Sequence, residues 1–328
     1  MKKLFKMALA IMMAFTLVAC GGGTSGGEAK TVKVGVSIYK FDDNFMTLYR
    51  EEIQSYFKTL ETEEVKYEVT VTDAKNDMNQ QSQDIDNFIT QEYDVLIVNL
   101  VQSTAAATII NKCKDAEIPC IFINREPSAE DMGTIATNMT YVGADARQSG
   151  RMQGQIVADL ENKGDLNGDG KLQYVMVVGD PENVDAQYRT QYSIEQYIES
   201  TGLEVDKIDE QRGDWDQAKG EQIVANALAG GRGSEIEVVF CNNDAMALGA
   251  VQAIKAANRT VGTDIYLLGV DALEEAVELV NQGGMTGTVL NDHVGQSHTA
   301  VDCAIKAVNG EALEPYYWVD YVKVTPEA

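Results

Sequence analysis

"TVKVGVSIYKFDDNFMTLYREEIQSYFKTLETEEVKYEVTVT", residues 31–72, decides how the rest of the chain is read. It opens on a β-branched run (31–39), passes a polar turn into helical spacing (45–60), and returns to a second β-branched run (67–72). Strand, helix and strand at that spacing form a unit whose strands are parallel and whose helix covers one face of the sheet. The alternation continues. Strand-like runs follow at 94–100, 119–124, 172–179, 236–243, 264–271 and 286–292. Helical patterns separate them at 80–92, 104–116, 144–163, 185–200, 217–229, 245–257, 273–282 and 293–309. The pattern predicts an α/β protein with two doubly wound parallel sheets in series, one near 31–124 and one near 140–290.

The N-terminus stands apart from this pattern. Lys2, Lys3 and Lys6 precede "MALAIMMAFTLV" (7–18), an apolar run too short to span a bilayer. "LVAC" follows, ending at Cys20, and then "GGGTSGG". Small residues before a cysteine at the end of such a run resemble a lipoprotein processing site. That resemblance implies a signal peptide over 1–19, lipidation of Cys20, and a flexible tether over 20–30. A plain secretory leader with an incidental cysteine is the alternative.

Composition excludes several function classes. Lys and Arg number 26 against 51 Asp and Glu, a net charge of −25, which becomes −28 once the three leader lysines are removed. A chain that acidic repels nucleic acid and anionic lipid. The remaining stretch, about 300 residues, is long enough for two domains with cores of their own. Cys113, Cys120, Cys241 and Cys303 lie at scattered spacings with no CxxC, and they are predicted to be buried thiols. With His293 and His298 the chain's two histidines, a His-based metal site or triad is not expected.

In doubly wound sheets, ligands bind beyond the C-terminal ends of the strands. The segments at those ends are "YKFDDNF" (39–45), Asn99, "GDPENVDAQYR" (179–189), "CNNDAM" (241–246), "GVDA" (269–272) and "LNDH" (290–293). There is no Gly-rich phosphate loop, no GxSxG elbow and no cationic cluster. The set is rich in hydrogen-bond acceptors and poor in nucleophiles, which suits a neutral polyhydroxylated ligand. An Asp or Asn at a strand end is equally a candidate helix N-cap, and both readings stand at this point. One further stretch, "DLNGDGKLQ" (165–173), reads like a calcium loop, with Asp165, Asn167 and Asp169 at alternate positions before Gly170. The twelfth position, a bidentate Glu in an EF-hand, is Met176 here. Either the loop is an ordinary polar turn, or its last carboxylate comes from elsewhere in the chain.

Six pieces, "YKFDDNFM" (39–46), "DLNGDGKLQ" (165–173), "VDAQYRTQY" (184–192), "NNDAMALGA" (242–250), "GVDAL" (269–273) and "GTVLND" (287–292), occur in the order and spacing of a known family. From about residue 32 to about residue 324 the chain resembles the periplasmic galactose/glucose-binding proteins of sugar ABC transporters. The resemblance implies a type I periplasmic binding protein: two lobes joined by three hinge strands and closing on a sugar. The first lobe would be 31–124 plus 293–322 and the second 125–292 plus 323–328. Crossings would fall near Ile123–Glu126, Leu290–Val294 and Val322–Thr325. By the same resemblance Phe45 and Trp215 sandwich the pyranose, although each taken alone reads as a core residue or a loop anchor. Asp43, Asn99, Asp185, Arg189, Asn243, Asp271 and Asn291 meet the hydroxyls, and charge-assisted hydrogen bonds there are the stronger kind. Asn183 stands where the family has a histidine, which bears on the choice between epimers. Tyr39 keeps its hydroxyl.

The resemblance also supplies the missing carboxylate. It implies a structural Ca2+ held by the side chains of Asp165, Asn167, Asp169 and Gln173, the backbone carbonyl of Lys171, and Glu237 in "SEIEVVF". The function implied is an extracytoplasmic, lipid-anchored, monomeric receptor that captures D-glucose or D-galactose and delivers it to an ABC permease. A subunit that presents sugar to a chemoreceptor or a sensor kinase fits the same residues, as does a binder of a different monosaccharide. A glycosidase would use two of these carboxylates as acid and base, but the candidates are strand-end residues beside aromatics and amides, with no Glu among them. A sugar-responsive repressor would carry a DNA-reading headpiece and no export signal.

Overall fold

A computed structural model describes residues 29–326. The expected signal peptide, Cys20 and most of the tether lie outside the described residues. The first sheet begins with β1 (Lys30–Ile38), β2 (Val65–Asp73), β3 (Val95–Val98) and β4 (Cys120–Ile123). It is completed by β5 (Met139–Gly143) and β11 (Tyr316–Trp318), in the order β11-β5-β4-β3-β1-β2. Every pair in it is parallel. Its helices are α1 (Asn44–Thr59), α2 (Met78–Thr90), α3 (Ala106–Asp115), α4 (Ala129–Met132) and α10 (His293–Val308). The second sheet contains β6 (Lys171–Val178), β7 (Glu204–Arg212), β8 (Val238–Cys241) and β9 (Tyr266–Leu268), in the parallel order β7-β6-β8-β9. Bridges from Leu268 and Asp271 extend it to β10 (Thr288–Leu290), which pairs antiparallel with β12 (Val322–Val324). Its helices are α5 (Ala146–Ala158), α6 (Val184–Thr201), α7 (Gln217–Ala229), α8 (Asp244–Ala256) and α9 (Glu274–Asn281).

Both sheets thus share one winding, with the second strand outside the first and the order then reversing. The reason is visible strand by strand. β3, β4 and β8 are buried along their whole length, as strands covered on both faces must be. α1 shows the matching helical logic: Phe45, Tyr49, Ile53 and Phe57 recur every four residues and are all buried against β1. Each sheet accordingly has two apolar cores, one per face. In the second lobe, helix pairs approach at glycines. A Cβ on Gly154 of α5 would stand 2.1 Å from the Ser193 carbonyl of α6, and one on Gly249 of α8 would stand 2.0 Å from the Gln217 carbonyl of α7.

The chain crosses between lobes after β5 (144–145), after β10 (291–292) and between β11 and β12 (319–321). The first crossing differs from the expected Ile123–Glu126. β5 pairs with β4 in the first sheet, so residues 125–143 belong to the first lobe rather than the second. "MTYVG" follows a four-residue helix, and Thr140 and Gly143 interrupt its apolar run, so it carries little strand signal. The third crossing precedes the expected Val322–Thr325, because Val322 already pairs with Leu290 in the second lobe. Among the described residues no helix is long and apolar enough to cross a membrane. Cys113, Cys120, Cys241 and Cys303 are free and buried.

Candidate functional site

The C-terminal edges of the two sheets face each other across a narrow cavity lined by both lobes. The first lobe contributes Tyr39, Asp43, Phe45 and Met46 from the exit of β1, and Asn124 and Arg125 from the exit of β4. The second contributes Asn183, Asp185 and Arg189 after β6, Trp215 after β7, Asn243 after β8, Asp271 after β9 and Asn291 after β10. Of the side chains predicted from sequence, Asn99 is the one outside this lining. It is fully buried: its Oδ1 accepts from the Tyr39 amide (3.2 Å), and its Nδ2 donates to the Ile123 carbonyl (3.3 Å) and Asn124 Oδ1 (3.0 Å). Asn99 braces the rim that Tyr39 and Asn124 form. Sequence reasoning missed Met46, Asn124 and Arg125. The last two follow β4 directly, so the strand-end rule that found the others also reaches them.

The cap and ligand readings of the strand-end residues prove compatible. Asp43 caps α1 by accepting the Met46 amide at 2.8 Å, and its other oxygen accepts the Tyr39 hydroxyl at 2.6 Å. Asn183 caps α6 (Asp185 amide, 3.0 Å) and Asn243 caps α8 (Met246 amide, 3.0 Å). A cap uses one acceptor atom and leaves the rest of the group for the cavity. Asn243 spends its Nδ2 on the Trp215 carbonyl at 3.4 Å, tying an aromatic wall to a polar one. Asp271 caps nothing. It sits at φ +121°, in the left-handed region that a non-glycine residue occupies only under constraint, and Asn291 Nδ2 donates to its carboxylate at 3.2 Å.

Two arginines balance the acids. Arg189 is 3% exposed; its Nη1 donates to the Asn242 carbonyl (2.8 Å) and lies 3.8 Å from Asp271, while its Nη2 donates to the Tyr321 hydroxyl (3.0 Å). Arg125 donates to the Val101 carbonyl and stacks 3.8 Å over the Tyr39 ring. It also reaches to within 3.9 Å of Asp180 in the second lobe. Gln102 spans the same gap to Glu182 at 3.0 Å, so the lobes are closed on each other. Burial pushes the Asp271 carboxyl well above the usual range and raises Asp185 as well; Arg189 opposes both shifts. Beneath them Asp244, accepting from Thr288 and the Leu273 amide, is pushed up to about 6 by burial. The Asp185 carboxylate has no hydrogen-bond partner among the described residues, and Arg189 Nε and Trp215 Nε1 are buried and unpartnered. The site therefore offers unused donors and acceptors beside aromatic surface, and its lining includes no Ser, Cys, Lys or His. A larger open groove runs past Leu160, Tyr266 and Lys323, but at the opposite, N-terminal end of the second sheet.

The residues of the second motif also come together. Asp165 accepts the amides of Gly168 (2.7 Å) and Gly170 (2.9 Å), and Asn167 accepts that of Asp169 (2.8 Å). Gln173 donates to Asp169 at 2.7 Å. Glu237, 3% exposed, reaches in from just before β8 to accept the amides of Leu166 (2.6 Å), Asn167 (3.0 Å) and Gln173 (3.0 Å). Among the described residues no three His, Cys, Asp or Glu side chains converge to hold a metal by themselves. With the Asn, Gln and carbonyl oxygens of the loop added, the donor set is all hard oxygen, which fits calcium. Burial raises the Glu237 carboxyl, the three amides oppose that, and the Asp165 charge adds to it.

Comparison with known proteins gives a consistent picture. Residues 34–312 match the periplasmic binding protein domain. The chain is 36% identical over 317 residues to a D-galactose/methyl-galactoside binding periplasmic protein of Haemophilus influenzae, covering 95% of this chain and 92% of that one. It is 33% identical over 304 residues to a putative rhizopine-binding protein of Rhizobium meliloti, covering 92% of each. Among solved structures it is similar to an ABC transporter solute binding protein of Bacillus halodurans with bound myo-inositol. That similarity has a TM-score of 0.78 at 30% identity, over 93% of this chain and 96% of that one.

Proposed function

The chain belongs to the periplasmic binding protein family, whose members are non-enzymatic, and from that premise we propose that it is the receptor of an ABC importer for a neutral hexose, D-glucose or D-galactose. The observation that carries the reading is the cavity itself: two lobes supply Phe45 and Trp215, and around them stand Asp43, Asn183, Asp185, Arg189, Asn243, Asp271 and Asn291. A pyranose has C–H-rich faces for aromatic rings and in-plane hydroxyls that donate to carboxylates while accepting from Arg and Asn. The buried carboxylates Asp185 and Asp271 are short of donors, and hydroxyls supply them. Because both lobes contribute contacts, sugar favours the closed form over the open one, and that difference is the signal a permease reads. A chemoreceptor or sensor kinase reading the same closed shape is the alternative partner. Cys20 gives the lipid anchor, and Ca2+ at Asp165, Asn167, Asp169, Lys171, Gln173 and Glu237 ties the 165–173 loop to β8 without touching the sugar.

A second reading, a cyclitol such as myo-inositol, draws on the relatives whose names carry rhizopine and myo-inositol. The test is a fluorescence titration with glucose, galactose, myo-inositol and ribose. The chain has two tryptophans, so Trp318→Phe leaves Trp215 as the reporter. Saturable change with a hexose supports the proposal. Response to myo-inositol alone supports the second reading, and response to none of the four overturns both.

A further inference from the structure

Tyr321 ends the third crossing, between the last strand of the first sheet and β12 of the second lobe, and it is 3% exposed. Several bonds fix its place. Val319 donates to the Gly143 carbonyl (2.9 Å), and the Tyr321 amide donates to Gln148 Oε1 (2.8 Å) on α5. Gln148 Nε2 donates in turn to Asp320 (3.3 Å). The ring packs into the core that holds Ala144, Val178 and Val289. From there the phenol points at a residue of the cavity and accepts from Arg189 Nη2 at 3.0 Å.

A guanidinium is a rigid planar fork, so its orientation is set once two of its arms are held. For Arg189 those two arms are the bond to the Asn242 carbonyl and the bond to the Tyr321 hydroxyl. Its third polar relation, to Asp271, is a looser 3.8 Å, and Asp271 is itself held by Asn291 at the second crossing. The Arg189 side chain thus reaches the third crossing directly and the second through one residue. Neither composition nor the strand-end rule points to Tyr321, because it lines no part of the cavity.

We propose that Tyr321 is a positioning residue for ligand binding: from the hinge, its hydroxyl fixes the plane of Arg189 in the cavity. The proposal rests on the reading of the cleft as a sugar site and has a readout that does not depend on it. Removing the hydroxyl leaves one arm of Arg189 buried without a partner and free to turn away from ligand. A lost hydrogen bond to a charged group corresponds to roughly a tenfold or greater change in binding.

Tyr321→Phe keeps the ring and its packing. Two measurements decide the matter: the arginine side-chain 15N spectrum of the sugar-free protein, with Arg189 assigned through Arg189→Lys, and stopped-flow titration with glucose and galactose. Tyr321→Phe is expected to lose the restricted Nη rotation of Arg189 and to bind hexose about tenfold more weakly, mainly through faster release. In an Arg189→Lys background the same change should cost less than twofold. An unchanged Arg189 spectrum, or hexose affinity within twofold of the parent, overturns the proposal. If the parent binds neither hexose, the sugar reading fails, and the Arg189 spectrum alone decides the role of Tyr321.

Discussion

Gly179 is the position where a single methyl group should disarm the site. It directly follows β6, and a Cβ built there stands 2.3 Å from Cη2 and 2.4 Å from both Cζ2 and Cζ3 of Trp215. Ordinary contact begins near 3.4 Å, so in Gly179→Ala the indole must withdraw by about 1 Å. The ring, and not the backbone, must give way. Trp215 sits at φ +65° after Asp214 at φ +52°, and its carbonyl holds Asn243 Nδ2. Overpacking of this kind costs about 1–3 kcal/mol, which corresponds to a loss of roughly ten- to a hundredfold if it falls on the bound form. Trp215 is only half-buried, so the cost should fall mainly on binding and little on folding. The assay follows Trp215 emission in Trp318→Phe proteins, with and without Gly179→Ala, during titration with hexose, alongside urea denaturation of both. Affinity within twofold of the parent, with unshifted emission, would show that the wall of the cleft is not where the geometry puts it.

Three further outcomes follow from the same structure. Asp244 is raised by burial from 3.8 to about 6, so between those values the native state keeps a proton that the unfolded chain has released. Stability should therefore fall as pH climbs through that window, by about 3 kcal/mol relative to Asp244→Asn; denaturation curves of the two proteins that stay parallel from pH 4 to pH 6 would refute this. Gly154→Ala drives a methyl into the Ser193 carbonyl and should destabilise the protein by about 1–3 kcal/mol, read as a lower urea midpoint with unchanged slope. Calcium at the 165–173 loop predicts that EDTA lowers the melting temperature, that Ca2+ but not Mg2+ restores it, and that Glu237→Ala abolishes the response; a melting temperature indifferent to Ca2+ rules the ion out.

What the sequence conveys about this fold follows burial. β3, β4, β6 and β8 carry nearly continuous apolar runs because helices cover both their faces, and β1 alternates Val32, Val34, Val36 and Ile38 with smaller or polar residues; both patterns are legible. β7, "EVDKIDEQR", is not. It is an edge strand with one neighbour, and its charges are the ordinary defence of an exposed edge. β5 is not legible either, and the first crossing moves with it, because Thr140 and Gly143 interrupt the apolar run of "MTYVG". The cavity lining is legible for a chemical reason: Asp43, Asn183 and Asn243 cap helices at strand exits, so one rule locates both the caps and the lining. That rule gives position along the strand but not the direction of the side chain. Asn99 therefore reads like its neighbours although its amide turns inward to Tyr39 and Asn124. Arg125 shows the converse, a charged residue that reads as hinge and lines the cleft. Glu237 lies far in sequence from the loop it supports, and only the family resemblance connected the two.

The measurement that tests the central claim most directly is the structure of the protein crystallised with saturating hexose. The account predicts one pyranose between the lobes, with Phe45 and Trp215 against its faces, its hydroxyls on Asp185, Asp271 and Arg189, and the lobes closed. A sugar held by one lobe alone, or seated in the groove beside Tyr266 and Lys323, would contradict it.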